Sequence, residues 1–163
     1  MSGEEPADVG LARALMASTR SAALASLDRG GAPFASFVLV APGPDNAPFL
    51  LLSRLALHTR NLQRDPRASL LMVGTSPEAS AANLRLTLTG RVVGDDNPEG
   101  RRLFLAAHPD AARYADFTDF GFNRFDVEAG HLVAGFGRIR SLDRFELVQS
   151  HPAQKGCPPT AER

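Results

Sequence analysis

The strongest chemical signal in the chain is Leu51-Leu52-Ser53-Arg54-Leu55-Ala56-Leu57-His58-Thr59-Arg60-Asn61-Leu62. It sets hydroxyls, an imidazole, an amide and two guanidinium groups at a strand end and on the turn or helix that follows. A helix starting near Thr59 would offer its free N–H groups and the Thr59 hydroxyl to a phosphate, with Arg54 or Arg60 adding charge and fork-shaped hydrogen bonds. The same residues fit a plain helix cap with an arginine face turned to water. Spacing alone leaves both readings open.

Other chemistries find less support. His58, His108, His131 and His151 are widely separated, so a metal site would have to be assembled entirely by the fold, and none is expected. No serine sits in a nucleophile elbow, and the chain has neither a glycine-rich dinucleotide fingerprint nor a phosphate loop. Cys157 is the only cysteine, which excludes an intramolecular disulfide framework and any thiolate-rich zinc or iron–sulfur centre. Its setting, Gly156-Cys157-Pro158-Pro159, reads as a free terminal thiol. Lys155 is the only lysine, so Schiff-base chemistry is removed from the interior.

These residues must be held by one ordinary domain, which is what 163 residues provide. The domain is assigned to residues 8–149, with a flexible C-terminal tail over 150–163. Hydrophobic residues make up 44% and charged residues 22%, the balance of a soluble globular chain. Lys and Arg number 18 against 18 Asp and Glu, so the net charge is zero and neither nucleic acid nor an anionic membrane is an expected partner. The opening MSGEEPADVG lacks a signal peptide's basic and apolar regions, and no apolar run approaches the roughly 20 residues that span a bilayer. A cytoplasmic location without membrane attachment is the expectation.

Asp8 is expected to cap a helix over Val9–Thr19. Ala22–Leu27 and Pro33–Val40 around Asp28-Arg29-Gly30-Gly31 read as a hairpin, and Phe49–Ser53 as a third, central strand. Leu55–Leu62 reads as a short helix stopped by Asp65-Pro66, followed by a strand over Ala68–Val73 and a small-residue loop from Gly74 to Ala82. In Leu84–Val92, leucines alternate with Arg85, Thr87 and Thr89, giving a strand with a core side and a polar side. Asn97-Pro98 opens another helix that ends near His108-Pro109, with a short helix around Ala111–Tyr114 after it. Strands are expected at Phe122–Val127, His131–Ile139 and Asp143–Val148. This order predicts a mainly β protein, an antiparallel barrel with peripheral helices.

Leu51 to Leu62, Asp65-Pro66-Arg67-Ala68-Ser69-Leu70-Leu71, Thr89-Gly90-Arg91-Val92 and Ala134-Gly135-Phe136-Gly137-Arg138 together resemble the pyridoxamine 5'-phosphate oxidase-like split-barrel family. Within it they are most similar to the branch holding the flavin-binding-like domain of haem-utilisation proteins. The resemblance implies a six-stranded antiparallel FMN-binding split barrel that forms a homodimer, with cofactor sites between the subunits. It places Ser53, Arg54, His58, Thr59, Arg60 and Asn61 at the FMN phosphate and nearby atoms, Ser36 beside the flavin ring, Arg85 approaching the ring, and Arg138 closing the pocket. The activity implied is a flavin-dependent oxidoreductase passing hydride between a small organic substrate and FMN. Vitamin B6 oxidation is disfavoured, because Ser36 to Val40 carry no basic residue and Leu147 to Arg163 lack the oxidases' substrate-recognition segment. Two alternatives stand beside it. One is a haem-binding or haem-modifying protein in which His58, His108 or His131 reaches the iron; the other is a non-catalytic dimeric binding domain.

Overall fold

The computed structural model describes residues 6–75 and 83–149. Its elements are α1 (Ala7–Ser18), β1 (Ser21–Leu27), β2 (Pro33–Pro42), β3 (Pro48–Ser53), α2 (Leu57–Arg64), β4 (Arg67–Val73), β5 (Arg85–Gly94), α3 (Pro98–Ala107), β6 (Phe120–Val133), β7 (Ile139–Asp143) and α4 (Arg144–Leu147), with a 3₁₀ turn over Pro109–Arg113. The strands run in the order β3-β2-β1-β4-β5-β6-β7, and β6 pairs back onto β3. Six antiparallel strands therefore close into a barrel, as expected, and β7 is added beyond β6. Closure removes the edges an open sheet would leave for aggregation.

The barrel interior is filled by rows of side chains that follow from the period of two. Leu24, Leu70 and Leu88 face one another across β1, β4 and β5, and Met72, Leu86 and Leu132 form a second row across β4, β5 and β6. All six are fully buried. Outward on β5 stand Arg85, Thr87 and Thr89, the polar side that the alternation predicts. α1 and α4 pack against this same core through Val9, Ala12, Leu15, Met16 and Leu147.

β3 is buried on both sides, which explains its unbroken apolar run. Leu50 and Leu52 point into the barrel, while Phe49 and Leu51 join a second core with Phe104 of α3 and Phe122 of β6. α3 starts as expected, with the Asn97 side chain accepting from the N–H groups of Glu99 and Gly100, and Pro98 in the first turn. Gly100 lets this helix approach closely, since a Cβ there would stand 2.3 Å from the Phe49 ring.

Three local expectations are corrected. Asp8 does not cap α1; Pro6 precedes the helix, and Asp8 lies in its first turn, paired with Arg138. Phe122–Val127 and His131–Ile139 are not two strands. β6 runs unbroken for 14 residues, pairing with β3 through its first part and with β7 through its last. A register shift at Thr89/Gly90 absorbs the extra residue Glu128 and bends the strand instead of ending it. Asp143–Val148 is helical rather than extended, because Asp143 and Glu146 form a reciprocal capping box. The short helix expected near Ala111 is present, in 3₁₀ form over Pro109–Arg113. Ser150 onward, with His151 and Cys157, lies outside the described residues, as does all but the start of the loop from Gly74. Among the described residues no helix is long and apolar enough to cross a membrane.

The barrel has a split that positions everything below. β1 pairs with β2 along its full length, but β2 meets β3 only through Val40–Pro42. Beyond that point Leu51–Ser53 pairs with β6 alone. α2 sits beside the opening, tied to β1 by a 3.2 Å hydrogen bond from Asn61 Nδ2 to Ser26 Oγ between buried residues. Its exit is set by Asp65, whose carboxyl is lowered to about 2, first by the Arg67 side-chain hydrogen bonds and then by Arg67's backbone.

The bulge is testable. A Cβ at Gly90 would lie 2.1 Å from the Asp126 carbonyl oxygen. Gly90→Ala is expected to lower unfolding free energy by roughly 1–3 kcal/mol, read by urea denaturation; an unchanged midpoint would mean that the β5–β6 seam is looser than described.

Candidate functional site

The turn from β3 into α2 is built by short backbone and side-chain bonds. Arg54 N donates to the Asp119 carbonyl at 2.6 Å and Ala56 N to the Ser53 carbonyl at 3.1 Å. Ser53 Oγ accepts from Leu55 N at 3.2 Å and donates to Asp119 Oδ2 at 3.4 Å. α2 then begins behind Ala56, which offers no side-chain cap. This places His58 in the first turn, beside β2.

His58 and Ser53 line a cavity of about 280 Å³ whose other walls are Phe37 and Leu39 of β2, Leu51 of β3, Phe104 of α3, and the pair Tyr114–Phe120. The Tyr114 and Phe120 rings lie 4.9 Å apart, centroid to centroid. Ser36 Oγ and His58 Nδ1 share a hydrogen bond of 3.1 Å. Partial burial lowers the imidazole pKa from its ordinary 6.5, so His58 is neutral at physiological pH. The site is thus a neutral imidazole at an aromatic wall, with hydroxyls of Ser36 and Ser53 beside it.

On the other side of Leu52 lies a cavity of about 360 Å³ with a different character, lined by Arg54, Thr59, Gln63, Asp95, Asp96 and Asn123 among others. A larger void, about 560 Å³ and beneath α1, is lined by no carboxylate or imidazole among the described residues. Its one cation, Arg20, donates to the carbonyls of Ala17 and Thr19.

Of the residues singled out in the sequence, the fold brings Ser36, Ser53 and His58 together. Arg54 and Thr59 face the second cavity, and the Thr59 hydroxyl oxygen is sealed without a hydrogen-bond partner. Arg60 is exposed on α2. Asn61 is fully buried, bonded to Ser26 and accepting from Arg64 at 2.7 Å, so it serves the scaffold. Arg85 Nη1 donates to the Asn83 carbonyl at the start of β5. Arg138 pairs with Asp8 of α1. Sequence reasoning reached Phe37 as a neighbour of Ser36 but did not assign Tyr114 or Phe120 to the site; their aromatic character was visible, but their convergence needs the β3–β6 pairing. His108 Nε2 bonds to the Val40 carbonyl at 2.8 Å, holding α3 against β2. His131 is exposed on the outer face of β6. Among the described residues no group of three or more His, Cys, Asp or Glu gathers to hold a metal ion.

Against known proteins, the chain is 38% identical over 108 residues to the non-canonical haem oxygenase HOZ of Arabidopsis thaliana chloroplasts, covering 64% of this chain and 33% of that protein. It is 26% identical over 141 residues to the haem oxygenase HutZ of Vibrio cholerae, covering 82% of this chain and 80% of the relative. A solved haem-binding protein from Mycobacterium smegmatis superposes with a TM-score of 0.79 at 36% identity, covering 86% of this chain and 60% of that one. The chain thus spans one third of the chloroplast relative and three fifths of the mycobacterial structure.

These relatives are haem proteins, which overturns the expectation of FMN as the cofactor and removes the support for a flavoprotein oxidoreductase. The structure supplies a physical reason. The expected phosphate seat puts Arg54 and Thr59 in one cavity with Asp95 and Asp96, whose carboxylates oppose a dianion, and locks Asn61 in the core. The split-barrel half of the resemblance stands. Residues 4–149, nearly all of the described fold, match the family "CREG, beta-barrel", and this chain belongs to it.

Proposed function

We propose that this chain is a haem-binding or haem-modifying protein in which His58 ligates the iron and a second copy of the chain completes the site. The observation that carries the reading is the neutral imidazole of His58, held through one nitrogen and set at an aromatic cavity in the barrel split. Haem brings four ring nitrogens and asks a protein for only one or two axial ligands. A single imidazole meets that requirement, and no cluster of metal-binding groups forms among the described residues. Phe37, Leu39, Phe104 and Phe120 offer an apolar wall to the macrocycle. His108 is committed to Val40, which leaves His58 as the better ligand. Bound haem would supply an iron centre able to activate oxygen; the chain's own residues would hold it, orient it and keep water from one face.

A single copy encloses too little. The cavity of about 280 Å³ falls below the roughly 300–1,000 Å³ that buries most of a drug-sized ligand. Next to it a patch of the outer barrel face carries no charge: Ala35 and Phe37 of β2, Ala23 and Ala25 of β1, Leu71 of β4 and Thr87 of β5, with Arg85 and Arg91 farther along β5. Phe37 is 73% exposed, as is Leu55 beside the cavity. Depletion of charge with an aromatic anchor is the composition of an interface centre, and a homodimer through this face would roof the cavity.

Haem titration followed at the Soret band tests the ligand. Saturation at one haem per subunit is expected, and His58→Ala should weaken binding by at least about tenfold; absence of a saturable shift sinks the haem reading, and an unaffected alanine variant sinks the assignment of His58. Sedimentation velocity tests the partner: wild type should run as a dimer, Ala23→Arg as a monomer, and a monomeric wild type both with and without haem rules the roof out. Stability in the absence of haem carries a third signature. Because the folded-state pKa of His58 lies below its unfolded value, the unfolded chain takes up the proton first. Stability should fall as pH drops from about 6.5 towards the lower folded value, and His58→Gln should flatten that part of the profile; parallel wild-type and variant profiles would contradict it.

A further inference from the structure

We infer that Ser36 is a positioning residue that fixes the tautomer of His58 and so decides which ring nitrogen is open to a ligand; its functional meaning rests on the haem reading above, its geometry does not. Ser36 pairs with Leu24 across β1–β2, in the inward row continued by Leu70 and Leu88. Three positions of that row are fully buried leucines. A hydroxyl there is out of pattern, and the split explains how it survives: with β3 absent from this stretch of β2, Ser36 meets α2 instead of the far barrel wall.

The hydroxyl's one hydrogen-bond partner among the described residues is His58 Nδ1, at 3.1 Å. Neutral imidazole has one N–H and one lone pair, on different nitrogens. With Nδ1 engaged by Ser36, Nε2 is the nitrogen left for a ligand, and it can bind one only if the proton sits on Nδ1. With Nδ1–H donating to Ser36 Oγ, Nε2 keeps its lone pair. That is the arrangement in which a metal-ligating histidine is oriented by a second partner. Ser36 therefore acts through His58 and touches no ligand itself.

The test reads the imidazole nitrogens directly, before any haem is added. Two-bond proton–nitrogen spectra of the ¹⁵N-labelled full chain at pH 8 should show His58 with a protonated Nδ1 and an unprotonated Nε2. Ser36→Ala should shift the ring towards the Nε2–H form, and Ser36→Thr, which keeps a hydroxyl and suits a strand, should restore the wild-type pattern. Haem affinity should then fall about tenfold in Ser36→Ala and recover in Ser36→Thr. A wild-type His58 protonated at Nε2, or nitrogen shifts unmoved by Ser36→Ala, overturns the assignment. The expected tautomers together with no haem binding by wild type would uphold Ser36 as the positioning residue while removing the haem reading.

Discussion

The site depends on how β2 is held. β1 grips it along seven paired positions, but β3 meets it only through Val40, Ala41 and Pro42. Beyond those three residues the two strands part, and the closed barrel acquires an opening while β6 holds Leu51–Ser53 from the other side of β3. α2 occupies the place beside the opening. Its buried Asn61 reaches Ser26 and its His58 reaches Ser36, so the helix is fastened to both strands of the first hairpin.

Two cores on either side of β3 make this arrangement rigid. The inner one fills the barrel with leucine rows, and the outer one packs Phe104 and Phe122 edge to face over Phe49 and Leu51. Buried aliphatic and aromatic side chains of this kind contribute about 1.5–3 kcal/mol each, far more than the exposed ion pairs such as Arg102–Glu99. The exception among the described pairs is Arg124–Asp45, at 2.6 Å with Asp45 almost wholly buried, which ties the β2–β3 loop to β6. Loss of Arg124 would strand the buried Asp45 carboxylate.

Electrostatics then separate the two cavities that flank Leu52. One has an aromatic wall and a neutral imidazole, and suits an apolar ring system with a metal at its centre. The other mixes Arg54 with Asp95 and Asp96, which cancels the attraction for phosphate that Arg54 and Thr59 promise when read alone. The family resemblance named the right barrel and the wrong cofactor: the side chains of the Ser53–Asn61 segment divide between two cavities, a core and the solvent.

What the sequence determined by itself is local and periodic. The alternation Leu84–Leu88, the double-sided burial of Phe49–Leu52, the Asn97-Pro98 helix start and the Asp28–Gly31 turn each follow from short-range sterics and from the period of the backbone, and the barrel class follows from their order. What only the tertiary structure decided is long-range. That Ser36 would meet His58, that Asn61 would vanish into the core, that Tyr114 and Phe120 would wall the site, and that β6 would bend at Glu128 rather than break all depend on strand pairings between residues tens of positions apart. A hydroxyl or an imidazole carries no record in its own neighbourhood of which distant backbone will come within 3 Å, because that choice is made by the burial of the whole core.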